Sequence, residues 1–268
     1  MFQPVIKWSG SKRTQAVDLV KLFPKFKTYY EPFVGGGSIL YPLKDNLGSA
    51  VCGDICKPLI ELWISIQKNP SKLIDSYKTD WETLQKEGYR VYYKIRDRFN
   101  KDRSPEDLFF LSRTCVNGLI RFNKKGEFNN SFHYTRKGIN PKMAEKIILE
   151  WSKLIQNVKF LNADYRESTK TATSEDFIYL DPPYFNTRGR YSSVINFEEF
   201  VSFLEDLNRR NIKFVLSYDG MRGNHSYLKD LPRHIYNRHV FLESGNSSFK
   251  KVMEKKCEIV KESVYLNF

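Results

Sequence analysis

Phe177-Ile178-Tyr179-Leu180-Asp181-Pro182-Pro183-Tyr184 is the stretch around which the rest of the chain can be read. Its first four residues are apolar or aromatic and favour β structure, the composition of a strand buried on both faces. Pro182 and Pro183 lack amide donors and have fixed φ, so strand pairing stops at Asp181. Asp181 is therefore expected at the carboxyl end of a core strand, where open α/β sheets bind their ligands. Tyr184 follows on a loop stiffened by the two prolines. A carboxylate, a proline carbonyl and an aromatic ring are thereby held in one short segment.

Those three groups suit one chemistry. The N6 amine of adenine is a poor nucleophile because its lone pair is delocalised into the ring. Acceptors on both of its N–H bonds favour a pyramidal nitrogen, and they stabilise the positive charge that develops on alkylation. An aromatic ring stacked on the base fixes its plane, a contact of ~1–3 kcal/mol. Read alone, Asp-Pro-Pro-Tyr is equally an ordinary strand-ending turn. Partners elsewhere in the chain decide between the two.

The 268 residues suffice for one large core or one and a half domains. An apolar fraction of 41% and an aromatic fraction of 15% fit a folded globular protein. The formal charge of +13 favours a polyanionic partner, nucleic acid being the commonest. No apolar run approaches ~18 residues and no signal-type stretch opens the chain, so the expectation is a cytoplasmic protein with no membrane partner. Cys52, Cys56, Cys115 and Cys257 form no Cys-x-x-Cys pair, and the four histidines lack ligand spacing. No metal is expected.

Two segments near the start supply candidate partners for Asp181. Pro4-Val5-Ile6-Lys7-Trp8-Ser9-Gly10-Ser11-Lys12-Arg13 is an apolar run followed by a small-residue turn, with a helix expected over Thr14 to Leu22. Taken alone, Lys7 and Lys12 fit solvated charges and Trp8 fits a core residue. Tyr29-Tyr30-Glu31-Pro32-Phe33-Val34-Gly35-Gly36-Gly37-Ser38 reads as a strand and a glycine turn, with Ile39 to Tyr41 able to open a helix. Glycines let backbone pass close to a ligand, although the spacing is not Gly-x-Gly-x-x-Gly. A second strand over Ala50 to Gly53 ends in Asp54, an acid placed to bond ribose hydroxyls.

From Lys57 to about Gln156 the pattern becomes helical and basic. Helices are expected from Pro58, from a Ser71 cap to Glu87, over Tyr89 to Phe99, from Ser104-Pro105 toward Cys115, and from Pro141. Between the last two lies Asn117-Gly118-Leu119-Ile120-Arg121-Phe122-Asn123-Lys124-Lys125-Gly126-Glu127-Phe128-Asn129. Lys124-Lys125-Gly126 reads as a hairpin tip with Arg121 and Phe122 on one arm and Phe128 on the other. Such a hairpin can enter a major groove, where arginine reads a guanine edge with two hydrogen bonds. Lys124, Lys125, Arg136 and Lys137 would then meet phosphates. An ordinary basic surface hairpin has the same composition.

Strands and helices then alternate again. Val158 to Leu161 reads as a strand with Asp164 just past its end. Asn196 and Glu199 read as a helix start, Ile212 to Ser217 as a strand, and His239 to Leu242 and Glu258 to Leu266 as late strands. Ser244 to Lys256 is rich in glycine, serine and lysine and reads as mobile.

Taken together, Lys7-Trp8-Ser9-Gly10-Ser11-Lys12, Glu31-Pro32-Phe33-Val34-Gly35-Gly36-Gly37, Asp54, Asn117-Gly118 through Phe128-Asn129, and Asp181-Pro182-Pro183-Tyr184 resemble the Dam family of DNA adenine-N6 methyltransferases. The likeness covers nearly the whole chain, in the family's order. It implies an α/β fold with a seven-stranded S-adenosylmethionine-dependent methyltransferase sheet. Into that sheet is inserted a mainly helical target-recognition region carrying a β-hairpin. The implied boundaries are 1–56 and 157–268 for the catalytic domain and 57–156 for target recognition. The implied cofactor is S-adenosylmethionine, held by Trp8, Lys12, Phe33, Gly35, Gly37, Asp54, Asp164 and Asp181. The implied catalytic loop is Asp181, Pro182, Pro183 and Tyr184, receiving an adenine turned out of duplex DNA.

The implied DNA contacts are Lys7, Val116, Asn117, Leu119, Arg121, Asn123, Lys124, Lys125, Ser131, Arg136 and Lys137. Arg121 aligns with the family's guanine-reading arginine. Val116 stands where several members carry an aromatic residue, and Ser131 where they carry proline, so the target is GATC or a related short site. The partner is double-stranded DNA, with a cognate restriction endonuclease as a separate companion. Two readings compete: methylation of RNA adenine or of cytosine N4, and a catalytically silent DNA-binding protein on the same fold.

Overall fold

The computed structural model describes residues 3–183, 195–222, 225–226, 231–246 and 259–268. Its centre is a twisted sheet built from β1 (Thr28–Glu31), β2 (Ser49–Asp54), β3 (Val158–Asn162), β4 (Phe177–Leu180), β5 (Lys213–Arg222), β6 (His225–Ser226), β7 (Arg238–Asn246) and β8 (Ile259–Leu266). Seven of these run in the order β3-β2-β1-β4-β5-β8-β7, and the two-residue β6 pairs beside β5. Pairings from β3 to β5 are parallel; β8 lies antiparallel between β5 and β7. This is the seven-stranded methyltransferase-type sheet.

β4 shows why the fold closes around it. Phe177 and Tyr179 point into one apolar layer with Tyr29 and Val215, while Ile178 and Leu180 point into the other with Tyr30, Phe214 and Leu216. All four β4 side chains are buried, as expected for a strand covered on both faces. One layer is completed by the helices α2 (Lys57–Lys68), α3 (Pro70–Glu87), α4 (Arg90–Asp102), α5 (Pro105–Thr114) and α6 (Pro141–Leu154). The other is completed by α7 (Tyr165–Thr169) and α8 (Phe197–Arg209).

α2 buries Leu59, Leu62, Trp63 and Ile66, the stripe read from its spacing. Trp63 lies flat on Phe160 of β3, with ring centroids 5.5 Å apart. Arg98 of α4 ties three helices together: it makes a two-pronged bond to Asp107 of α5 and reaches Asp80 of α3. Arg113 of α5 is buried and donates to the carbonyls of Pro4 and Val5, anchoring the N-terminal segment. Burial pushes that guanidinium down to about 10, still well above neutral pH, so it stays charged while donating to those carbonyls.

Several expectations change. α1 spans Ala16–Val20, shorter than the expected helix, because the chain turns through bonds from Leu22 to Leu19 and Phe23 to Val20. No helix follows the glycine turn. Residues 34–47 form successive tight turns, and Pro42, which has no amide donor and disfavours a helical Tyr41, explains the break. α3 starts at Pro70 after Asn69, so Ser71 lies inside the first turn and is not its cap. Ser104 caps α5 by accepting from the Asp107 amide, and Asn196 caps α8 through the Glu199 amide. α7 was not anticipated. The hairpin is held by isolated Phe122–Phe128 and Cys115–Phe132 bridges rather than by a continuous ladder. Within Ser244 to Lys256, residues 244–246 belong to β7, while 247–256 and Glu258 lie outside the described residues.

Candidate active site

From β1 the chain passes outward to β2 and β3, then crosses back to β4 on the other side of β1. The strand order reverses there, and at such points the loops leaving the carboxyl ends diverge. A cleft of about 480 Å³ opens at that place. Asp181, Pro182 and Pro183 line it at the end of β4; Tyr184 lies outside the described residues. Trp8, Lys12, Phe33, Gly35, Asp54 and Asp164, scattered through the first two thirds of the sequence, line the same cleft.

The glycine turn lines the same cleft through Gly35 and Gly36. Gly35 has φ +46°, and a Cβ there would sit 2.8 Å from Cδ1 of Trp8, so the turn and the indole close on each other only without a side chain. Gly37 does not line the cleft. Its φ of +64° and its approach to Trp63 brace the turn from behind, while Trp63 Nε1 donates to the Gly35 carbonyl at 2.9 Å.

Asp54, at the end of β2, accepts from the Gly35 amide at 3.3 Å and the Cys56 amide at 2.9 Å. Burial pushes its carboxyl up to about 6, against the pull of those two amides. Each oxygen retains a lone pair for a further donor. Phe33 stacks on Tyr165, and Asp164 uses Oδ1 to cap α7 by accepting from the Glu167 amide at 2.9 Å. A polar end, an apolar slot and acidic acceptors thus lie in one channel.

At the floor, Asp181 Oδ1 is 3.0 Å from Lys12 Nζ, and the same ammonium is 2.5 Å from Glu262 Oε1 of β8. Lys12 and Glu262 are buried, whereas the Asp181 side chain keeps 21% of its surface open. Burial pushes Asp181 up to about 6; the Lys12 charge pulls it down, and the Glu262 charge adds to the rise. Glu31, buried at the end of β1, accepts from Tyr29 Oη at 2.9 Å, and burial drives its carboxyl well above the usual carboxylate range.

Reading the sequence missed Glu262 as a site residue and gave Glu31 no role. For Glu262 a signal existed: it shares strand parity with Val264 and Leu266 on a buried face, where an unpaired acid is costly.

The hairpin hangs beside this cleft. Ile120 and Phe122 line the cleft, while Arg121 between them is exposed. Arg121 Nε donates to Asn129 Oδ1 at 3.1 Å across the hairpin. The tip is a built turn: Asn123 Oδ1 accepts from the Lys125 and Glu127 amides, and its Nδ2 donates to Glu127 Oε2. Asn123 therefore shapes the tip, with both ends of its amide engaged. Arg103 donates to the Gly126 carbonyl, and Asn100 of α4 brackets Phe128 through its amide and carbonyl.

Lys124, Lys125, Ser131, Arg136 and Lys137 are exposed, as are Asn117 and Leu119, the latter 46% open. Val116 is half-buried, its amide donating to the Ser131 carbonyl. Lys7 is half-buried against Gly118, and burial, followed by the charges of Arg113 and Arg136, lowers its pKa. Cations from the N-terminal segment and the hairpin region thus converge near one loop.

A sequence profile of the D12 class N6 adenine-specific DNA methyltransferases matches residues 8–254. The chain belongs to that family. It is therefore an enzyme that methylates DNA at adenine N6, and its reaction requires a methyl donor. Among its relatives, "Type II methyltransferase M.MjaIII" of Methanocaldococcus jannaschii is 32% identical over 244 residues, 80% of this chain and 83% of the relative. The "DNA adenine methylase" of Escherichia coli K12 is 26% identical over 262 residues, 93% of this chain and 92% of its own. That of Vibrio cholerae is 33% identical over 183 residues, 67% of this chain and 64% of its own.

In this D12 methyltransferase, no helix among the described residues is long and apolar enough to cross a membrane. Nor do the described residues contain a group of three or more His, Cys, Asp or Glu side chains able to hold a metal ion.

Proposed function

We propose that this D12 methyltransferase uses S-adenosylmethionine and acts on an adenine turned out of double-stranded DNA, within a short site containing a guanine read by Arg121. GATC or a close relative is the favoured sequence. The observation that carries this reading is that Asp181 lines the same cleft as the Trp8–Gly35–Asp54 turn.

The residues present suit that donor. The absence of a side chain at Gly35 lets the Trp8 indole pack against the turn, Asp54 offers acceptors for ribose hydroxyls, and Phe33, Ile55 and Asp164 line the same cleft as apolar and acidic borders for a base. When bound, S-adenosylmethionine supplies a methyl carbon on a positively charged sulfur. Asp181 Oδ1 is committed to Lys12, which leaves Oδ2 to accept one N6–H bond, with the Pro182 carbonyl accepting the other. These acceptors free the nitrogen lone pair and stabilise its developing positive charge. After transfer the nitrogen is acidic and releases its proton to water, so Asp181 orients more than it abstracts. Tyr184 is assigned the stack on the base. Residues 57–156 supply the target-reading surface, with Lys124, Lys125, Arg136 and Lys137 on phosphates.

Transfer of labelled methyl from S-adenosylmethionine tests the reading. Label in duplex DNA as N6-methyladenine is expected; label in RNA alone, or as N4-methylcytosine, would replace this substrate, and cofactor binding without transfer would end it. A narrower outcome concerns Gly35→Ala. The new Cβ meets Trp8 at a backbone angle that disfavours any side chain, so calorimetry should find cofactor affinity reduced at least on the order of tenfold in a folded protein.

A further inference from the structure

The chemistry described above gives Glu262 no task, although its position is hard to maintain without one. It lies on β8 between Lys261 and Ser263, buried, at the point where the β5–β8 ladder resumes opposite Gly220 after slipping past Ser217. A buried carboxylate needs a partner, and this one has Lys12 at 2.5 Å. Lys12 in turn reaches Asp181 at 3.0 Å. Three segments far apart in sequence therefore meet in one charged trio: the N-terminal turn, the end of β4 and β8.

Charge counting gives the trio a purpose. A lysine paired with Asp181 alone would cancel the carboxylate that the target amine needs. A second carboxylate on the same ammonium leaves the trio one net negative charge, at the place where positive charge develops on N6.

We infer that Glu262 is a positioning residue for methyl transfer: it draws Lys12 toward β8, so that Asp181 is held by one oxygen and keeps its charge available to the amine through the other. The inference deepens the proposed role of Asp181 and rests on it. Among the described residues, the other titratable groups facing Asp181 are Glu31 at the end of β1 and Tyr179 on β4 itself. Burial disfavours the charged form of both, so among the described residues Lys12 and Glu262 remain the charges beside Asp181.

Glu262→Gln keeps the shape and removes the charge. Carbon-13 NMR of the aspartate carboxyls in the full-length protein, with the Asp181 signal assigned by its loss in Asp181→Asn, should show its titration midpoint fall by roughly one pH unit. The single-turnover rate should fall on the order of tenfold at its plateau, with unchanged KM for DNA, and its acid limb should move down with the midpoint. A merely structural lesion lowers the plateau and leaves the limb in place.

Lys12→Met gives the opposite sign in the same NMR measurement, a higher midpoint, and serves if Glu262→Gln fails to fold. A midpoint that stays put or rises in Glu262→Gln, a limb that does not follow it, or no rise in Lys12→Met would overturn the inference. Wild-type protein that transfers no methyl to DNA would defeat the functional reading instead, and the NMR titration would still judge the trio.

Discussion

Asp181→Ala is expected to lower the single-turnover methylation rate by on the order of 10²–10³-fold or more, while affinity for duplex DNA stays within a few-fold of wild type. The side chain lines the cleft and pairs with the buried Lys12, whereas Lys124, Lys125, Arg136 and Lys137 are exposed, so its removal should delete the proposed acceptor and leave the proposed phosphate contacts in place. Filter binding and rapid-quench transfer on one oligonucleotide separate the two quantities. Near-normal turnover in this variant would remove Asp181 from the chemistry.

The wild-type rate carries the same signature in its pH dependence. Burial raises Asp181 to about 6, so the ionised form is present above that pH and the rate should fall as pH drops through it. Stability runs the other way. A carboxyl raised above its unfolded value contributes stability that is present below that value and lost as pH rises through about 6. Asp181→Asn should therefore melt higher than wild type at pH 8, and the difference should shrink toward pH 4. The reaction and the fold make opposite demands on this one carboxyl, a pattern common where binding energy is used to hold a charge in a low-dielectric place.

How much of this was legible in the residues varies with the range of the interactions involved. β4 and its terminator could be read because four consecutive apolar residues and two prolines are local signals, and Ser104 and Asn196 as caps for the same reason. The motifs that place Trp8, Gly35 and Asp54 were legible through resemblance, and the sheet brings them to one cleft. The helix expected after Gly37 fails on Pro42, a signal present in the sequence but outweighed by the apolar run around it.

The strand parity of Glu262 could flag a buried acid, but its partner was beyond reach. Glu262 is 250 positions from Lys12, and nothing local to β8 states that a lysine from the first turn will arrive beside it. Asn123, a DNA contact implied by the resemblance, also has a structural role that no local pattern announces. Only the folded turn reveals that its amide is already occupied.

Arg121→Ala should relax sequence choice at a single base pair, with a loss of ~1–3 kcal/mol of discrimination, and should leave the methyl-transfer rate on the preferred site far less affected than Asp181→Ala does. The argument is geometric. Arg121 sits between Ile120 and Phe122, which line the catalytic cleft, yet its own side chain is exposed. On the proposed reading it would touch a base beside the one that enters. Nε is held by Asn129 Oδ1, which fixes the plane of the guanidinium and leaves the two terminal nitrogens to face the O6 and N7 of guanine.

The platform behind the hairpin is rigid. Arg103 and Asn100 pin its turn to α4, and Arg98 locks α4 to α3 and α5. Two companion variants sharpen the test. Arg121→Lys keeps the charge but loses the two-pronged geometry, so it should relax specificity nearly as far as alanine. Asn129→Ala frees the guanidinium to rotate and should give a smaller loss at the same base pair. Methylation of a randomised duplex library, read by sequencing the modified bases, places all three on one scale. If the pattern in Arg121→Ala matches wild type at every position, the reading element lies elsewhere on the hairpin, and the exposed Leu119 is the next residue to replace.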